Sequence, residues 1–272
     1  MLASLAAAAA LTSLAPVVVH DSRERSLLTS VAAASVPAPG RGSDRSPAVY
    51  GRVTPATGDG TWLQYWLFYA RQDQDRGIVR TGRHAGDWEM VQFRLDPRGR
   101  PTQAVYAQHS GAERCSWSEV QRRDGHPVVY SARGSHASYL RPGVRDRMFP
   151  DPNDEADGRG PAPRPRLVRV TATSPSWMTY RGTWGGAHAR WWVPGEQDSP
   201  PGPAFQQQGR WSDPDTWARA ASSCRADCDE VDECDASEKA LGGGMGAAGT
   251  GVLGLLVLRR RRRRAVKDQH RS

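Results

Sequence analysis

Chemistry-bearing side chains lie closest together in Gly82-Arg83-His84-Ala85-Gly86-Asp87-Trp88-Glu89. On a strand, alternate residues share a face, so Asp87 and Glu89 project together, and Val91, Phe93 and Leu95 continue that face. Two carboxylates at the mouth of an apolar face need a cation or positive partners to stay charged. His84, on the preceding loop, can fold back toward them. One imidazole and two carboxylates suit a divalent cation: Ca²⁺, Mg²⁺, Mn²⁺ or Zn²⁺. His109 ends a predicted strand, His126 precedes the next, and His136 follows it. Strand ends gather at one rim of a sandwich, so His109 and His136 join His84, Asp87 and Glu89 as candidate metal ligands. Two plainer readings stand beside this one. Asp87 and Glu89 can form a buried salt bridge with an arginine, and the histidines can cap turns or hydrogen-bond the backbone.

Other chemistries find less support. Gly134-Ser135-His136 lacks the G-x-S-x-G spacing of a nucleophile elbow. The sequence has no phosphate-binding P-loop or dinucleotide fingerprint. Cys115 has no context that would make it a nucleophile. Separated Asp, Glu and His can support metal-assisted hydrolysis, but no residue is singled out to activate a water. The sequence therefore does not establish an enzyme.

The elements that must position these residues are mostly strands. Thr61 to Ala70 is an aromatic, apolar run that predicts a buried strand. Further strands are predicted over Asp87 to Leu95, Pro101 to His109, Pro127 to Ala132 and Arg166 to Thr173. Arg71 to Arg83 reads as a loop and Asp96-Pro97-Arg98-Gly99 as a turn. Asp151 to Pro165 and Pro194 to Gly209 read as surface excursions. With 28 Gly, 20 Pro and ten Trp, and few stretches of helical periodicity, the composition points the same way. The predicted fold is mainly β: a β-sandwich with long irregular loops and few short helices.

The ends differ from the body. Residues 1–14 resemble a signal h-region without its basic start, the alternative being an Ala-rich first helix of the fold. Residues 15–220 form the body and 221–239 an acidic linker containing Cys224, Cys228 and Cys234. With Cys115 these allow disulfides whose pairing is open; a zinc site or a processing or lipidation point is the alternative. Residues 240–258 carry no charge and are long enough to cross a hydrocarbon core of ~30 Å. Residues 259–272 hold Arg259 to Arg264, Lys267 and Arg271 against Asp268, a net +7 of the chain's +8. That block reads as a positive-inside stop, with the body outside and the membrane as partner. A disordered Gly-rich tail with a nucleic-acid-binding Arg block is the alternative. The body's near-neutral balance argues against nucleic acid as a partner.

One further pattern spans the body. Trp66-Leu67-Phe68-Tyr69-Ala70, Gly82-x-His84-x-Gly86-Asp87-Trp88-Glu89 and Gln108-His109 are followed by His126-Pro127-Val128-Val129-Tyr130 and Ala132-Arg133-Gly134-Ser135-His136-Ala137-Ser138-Tyr139. Asp21 and Glu24 lie near the start. Gly182-Thr183-Trp184-Gly185 and Arg210-Trp211-x-x-Pro214 lie near the end. In order and spacing this series resembles the Vps62-related family, over roughly 15–217. A looser likeness is to secreted Nep1-like necrosis-inducing proteins, whose Gly-His-Arg-His-Asp-Trp-Glu signature lies near a divalent cation in a β-sandwich. His84, Asp87, Trp88 and Glu89 match its last His and Asp-Trp-Glu, with Ala85-Gly86 inserted and Arg83 at the first His. The resemblance implies a ligand surface that includes Trp88, His126, Arg133, Ser135 and Tyr139. The expectation is an exported, membrane-tethered binding domain with a divalent cation and a glycan or lipid head group as ligand. The alternatives are a metal-dependent hydrolase of envelope or extracellular polymers and a structural domain without metal.

Overall fold

The computed structural model describes residues 2–33, 44–74, 83–147, 152–185, 198–206 and 209–224. The chain divides into a unit Met1–Asp232 and a second, Glu233–Ser272. That second unit lies outside the described residues, and with it the predicted membrane segment and basic tail.

In chain order the elements are α1 (Leu2–Ser13), β1 (Val17–His20), β2 (Leu28–Thr29), β3 (Ala48–Pro55), β4 (Thr61–Asp73), β5 (Arg83–Leu95), β6 (Pro101–Gln108) and β7 (Gly111–Ser116). There follow β8 (Arg122–Arg123), β9 (His126–Ser131), β10 (Ser138–Tyr139), β11 (Gly143–Arg145), β12 (Asp154–Ala156), β13 (Arg166–Arg169), α2 (Pro214–Ala220) and β14 (Ser222–Ser223). The fold is mainly β. Its main sheet runs β13-β3-β4-β5-β6-β7-β14, with β2 added to the far end of β4. A smaller sheet, β1-β9-β10 with β8 on β9, lies against one face of it.

β4 shows why its sequence is almost uniformly apolar. Leu63, Tyr65, Leu67 and Tyr69 pack with Val18 and Val129 of the smaller sheet, while Trp62, Trp66 and Phe68 face the opposite side. A strand buried on both faces loses the polar alternation of a half-exposed one. The second face is covered by α2, a 3-10 turn at Ser176–Thr179 and loops: Trp177, Met178, Trp184, Trp211 and Trp217 pack there with Tyr50, Trp88 and Met90. The architecture is thus a sandwich of two unequal sheets with an aromatic, largely non-sheet layer on its back.

The predicted strands are present with shifted ends. β4 and β5 extend into the expected Arg71–Arg83 loop, pairing as far as Asp73 with Arg83. Residues 75–82 of that loop lie outside the described residues. The Asp151–Pro165 excursion contains β12, paired antiparallel with β11. The strand predicted to run to Thr173 ends at Arg169, where its parallel pairing with β3 stops. β7 was not expected, because Gly111-Ala112-Glu113-Arg114 has no continuous apolar pattern. It is held as the second arm of a hairpin with β6.

α1 packs as an element of the fold. Leu11 is buried in the core beside Tyr65, whose hydroxyl donates to the Leu11 carbonyl at 3.0 Å. Cys115 and Cys224 form a disulfide that fixes the chain's far end beside β7, where β14 pairs in parallel. Cys228 and Cys234 lie outside the described residues.

Candidate functional site: a buried charge cluster where strands part

β5 pairs with β6 only from Val91 to Leu95, although both strands continue past Val91 and Tyr106. Asp87 and Glu89 lie on the stretch of β5 beyond that pairing, still held on the other side by β4. Gly86 makes the approach possible. Its φ is +66°, and a Cβ there would stand 2.7 Å from the Trp184 carbonyl oxygen. A glycine avoids both the left-handed penalty and the clash. Gly185 meets the same segment from the other side, since a Cβ on it would overlap the Ala85 carbonyl at 1.8 Å. Two motifs a hundred residues apart in sequence thus pack backbone to backbone.

The His136 imidazole is fully buried and stacks on the Tyr69 ring at 3.8 Å and 5°. Its Nδ1 lies 2.8 Å from Asp87 Oδ2, and its Nε2 lies 3.8 Å from Glu24 Oε1. The second distance exceeds hydrogen-bond reach, so that contact is Coulombic. Burial alone would push the His136 pKa down. The Asp87 hydrogen bond, Glu24 and both negative charges outweigh it and raise the pKa to about 9, so the ring is an imidazolium at neutral pH. Burial likewise pushes Glu24 up. His136, then the Gly134 and Ser26 amides, bring it down to about 2. His136 itself sits at φ 58° in a tight loop, where its amide donates to Ala132 O.

Asp154 anchors a second half. It is 1% exposed and accepts from His109 Nε2, Ser135 Oγ and Tyr139 Oη, each at 2.6 Å. Burial pushes its pKa up, but the His109 hydrogen bond and charge, then the Ser135 and Tyr139 hydroxyls, hold it below the usual carboxylate value. His109 sits at φ 51° just after β6, with its side chain 26% exposed. Among the described residues its Nδ1 has no protein partner.

Glu89 lies between these halves. Burial first, and then the Asp87 charge, push its carboxyl well up, against the pull of Arg210 and His136. Its Oε2 has no hydrogen-bond partner. Arg210 is 4% exposed and donates to the His109 carbonyl, while its Nε is also unpartnered. Gln64 Nε2 donates to the Arg210 carbonyl at 2.6 Å, fixing this residue from the main sheet.

The five predicted metal ligands are distributed as follows. Asp87 and His136 pair directly, and Glu89 is beside them in charge. His109 is given to Asp154. His84 Nδ1 bonds the Gly86 carbonyl at 2.9 Å. Among the described residues, the one group of three ligand atoms within 4.8 Å of one another is Glu113, Cys115 and Cys224. Both of those sulfurs are in the disulfide, so neither is a thiolate ligand. At Asp87 and Glu89, His136 and Arg210 bring positive charge, while the buried Glu89 Oε2 keeps no hydrogen-bond partner.

Of the predicted ligand-surface residues, Ser135 and Tyr139 serve Asp154. Arg133 is exposed and pairs with Glu155 at 3.2 Å. His126 Nδ1 donates to Ala15 O at 2.9 Å, while its Nε2 accepts from Arg164 at 2.9 Å. Trp88 is 2% exposed within the aromatic layer, stacked on Trp177 at 5.7 Å. Sequence reasoning did not place Glu24, Asp154 and Arg210 in the site. Glu24 and Arg210 stood in the quoted motif pieces, but Asp154 lay in an acidic stretch that reads as a solvated loop.

Residues 40–147 match the Vps62 family model. Its description is vacuolar protein sorting-associated protein 62. All ten residues predicted for the site fall inside this Vps62-matching segment, whereas Glu24, Asp154 and Arg210 lie outside it. Vacuolar protein sorting-associated protein 62 of Saccharomyces cerevisiae (strain ATCC 204508 / S288c) is 25% identical over 215 residues, covering 62% of this chain and 45% of that protein. The chain thus spans under half the length of this curated relative. Among solved structures, the non-toxic HaNLP3 protein is similar at TM-score 0.38 and 16% identity, over 60% of this chain and 74% of that one. NLPPya in complex with glucosamine is similar at TM-score 0.39 and 13% identity, over 60% and 73%. At these scores the likeness bears on neither ligand nor activity.

Proposed function

We propose that this chain is an exported, membrane-tethered binding module of Vps62 type, which docks a glycan or a lipid head group at the rim where β5 and β6 part. One observation carries the reading: His109, partly exposed and at positive φ, is fixed from behind by a buried carboxylate that Ser135 and Tyr139 also hold. The positive φ is what the two-residue His109-Ser110 turn of the β6–β7 hairpin demands; what points to a site is the partly exposed ring oriented from behind by a buried acid. Asp154 accepts the Nε2–H hydrogen bond, which leaves Nδ1 as the ring's free polar atom for a ligand. The Cys115–Cys224 disulfide agrees with an oxidising compartment. The apolar run 240–258 and the arginines after it supply the tether.

The test is binding of the full chain to panels of glycans and of vesicles differing in head group. His109→Ala should weaken binding at least tenfold, about 1.4 kcal/mol, with the fold retained by circular dichroism. Equal binding by wild type and variant, or no ligand in either panel, would overturn the reading. Repeating the titration and the melt with chelator tests for a divalent cation at Asp87 and Glu89: a loss of either that the added ion restores would show that one takes part. A purely structural role is the second reading, favoured by the mutual pairing of Asp87, His136 and Glu24; it predicts no ligand at all.

A further inference from the structure

Two cavities of 540 and 490 Å³, neither lined by His109, share Leu27, Thr29 and Arg45. At one end the lining is Arg25, Arg45, Arg71 and Asp73. Arg71 is already paired with Asp73 at 2.7 Å. Among the described residues, neither Arg25 nor Arg45 has an acidic partner. At the other end the wall is apolar: Leu27, Leu28, Pro47 and the Pro161-Ala162-Pro163 segment, with no acidic residue. The groove therefore has a cationic head and an uncharged, apolar body.

Its walls are held in place by buried groups. Glu24 Oε1 accepts from the Arg25 and Ser26 amides at 2.7 and 2.6 Å, and His136 locks Glu24 from behind. Thr29 Oγ1 donates to the Arg45 carbonyl at 2.8 Å, tying the second arginine to β2. His20 lies buried behind both walls. Its Nδ1 donates to Pro161 O at 2.7 Å, while its Nε2 accepts from the Leu28 amide at 3.0 Å. Both sides of the apolar half are thus tied through one buried, neutral ring. A preformed cleft loses less to ordering on binding than a mobile surface does.

We propose that this groove binds an amphiphile with an anionic head, the head between Arg25 and Arg45 and the aliphatic stem along Leu27, Leu28 and the Pro161–Pro163 wall. Two guanidinium groups without acidic partners match a phosphate or carboxylate, and the apolar wall gives a stem what a free anion cannot use. The inference is independent of the His109 site, which uses none of these residues.

The test is calorimetry of the full chain with decyl phosphate below its micelle concentration, beside decanol and inorganic phosphate. Arg259 to Arg264 and residues 240–258 can also take up amphiphiles, so the quantity read is the difference between wild type and the double variant Arg25→Gln/Arg45→Gln. Both arginines are exposed, and the variant should keep the wild-type circular dichroism spectrum. The expected result is one saturable site for decyl phosphate in wild type that weakens tenfold or more in the variant. Decanol and inorganic phosphate should each bind at least tenfold more weakly than decyl phosphate. As an independent reading, Ala162→Trp should fill the apolar half and weaken decyl phosphate while sparing any site in the tail. Identical isotherms for wild type and Arg25→Gln/Arg45→Gln, or equal affinity for inorganic phosphate and decyl phosphate, would overturn the proposal.

Discussion

Replacing His136 by Gln removes the one buried cation that touches both Asp87 and Glu24. At 3.8 Å and an effective dielectric of 20, the Glu24 contact alone amounts to about 4 kcal/mol before desolvation. The raised pKa gives a second route to the size. A shift from 6.5 to about 9 corresponds to roughly 3 kcal/mol of preference for the charged ring. The depressed Glu24 carboxyl reports much of the same interaction from the other partner, so the two are not summed. Deleting one member of a buried ionic cluster costs about 3–5 kcal/mol, and His136→Gln should fall in that range at pH 7. The pH dependence carries a sign. A group whose folded pKa lies above its unfolded value gives stability that is complete below the unfolded 6.5 and is lost as pH rises through about 9. The gap between wild type and variant should therefore be full near pH 6 and shrink between pH 7 and 10. Urea denaturation followed by tryptophan fluorescence, with the disulfide intact, measures it. A variant within 1 kcal/mol of wild type at pH 7, or a gap undiminished at pH 10, would refute the imidazolium assignment.

Gly86→Ala meets both a positive φ and the Trp184 carbonyl, and should cost roughly 2–4 kcal/mol by thermal melting, against about 1 kcal/mol at Gly99, which shares the positive φ but has open space around it. Reducing the Cys115–Cys224 bond opens a loop of sequence separation 109, which the chain-entropy argument values at about 4–5 kcal/mol; the melting temperature should fall sharply with reductant and be insensitive to it in a Cys115→Ala/Cys224→Ala variant.

Strand content and the burial of β4 were legible because Thr61 to Ala70 is apolar on both faces, a pattern with few other uses. The shared face of Asp87 and Glu89 followed from alternation, and Val91, Phe93 and Leu95 do continue it into the core. What positions the acids was not legible. Asp154 stands in Asp151-Pro152-Asn153-Asp154-Glu155, where composition suggests a solvated loop and only tertiary pairing buries the one carboxylate. Glu24 and Arg210 come from opposite ends of the body, and periodicity carries no information about such contacts. The same limit explains the histidines. Three of them read alike at strand ends, yet His126 serves a backbone carbonyl while His109 and His136 serve carboxylates.

The bond between β7 and the end of the body also has a mechanical meaning. A tether downstream of Cys224 would deliver any pull on the chain at that residue. Without the bridge, tension would unzip the two-residue β14 and then strip away α2, Trp211 and Arg210 in turn, as a seam opens from its loose end. With it, the force passes sideways through sulfur into a hairpin, where several backbone hydrogen bonds must shear together. The rim around His109 would thereby be insulated from traction on such a tether.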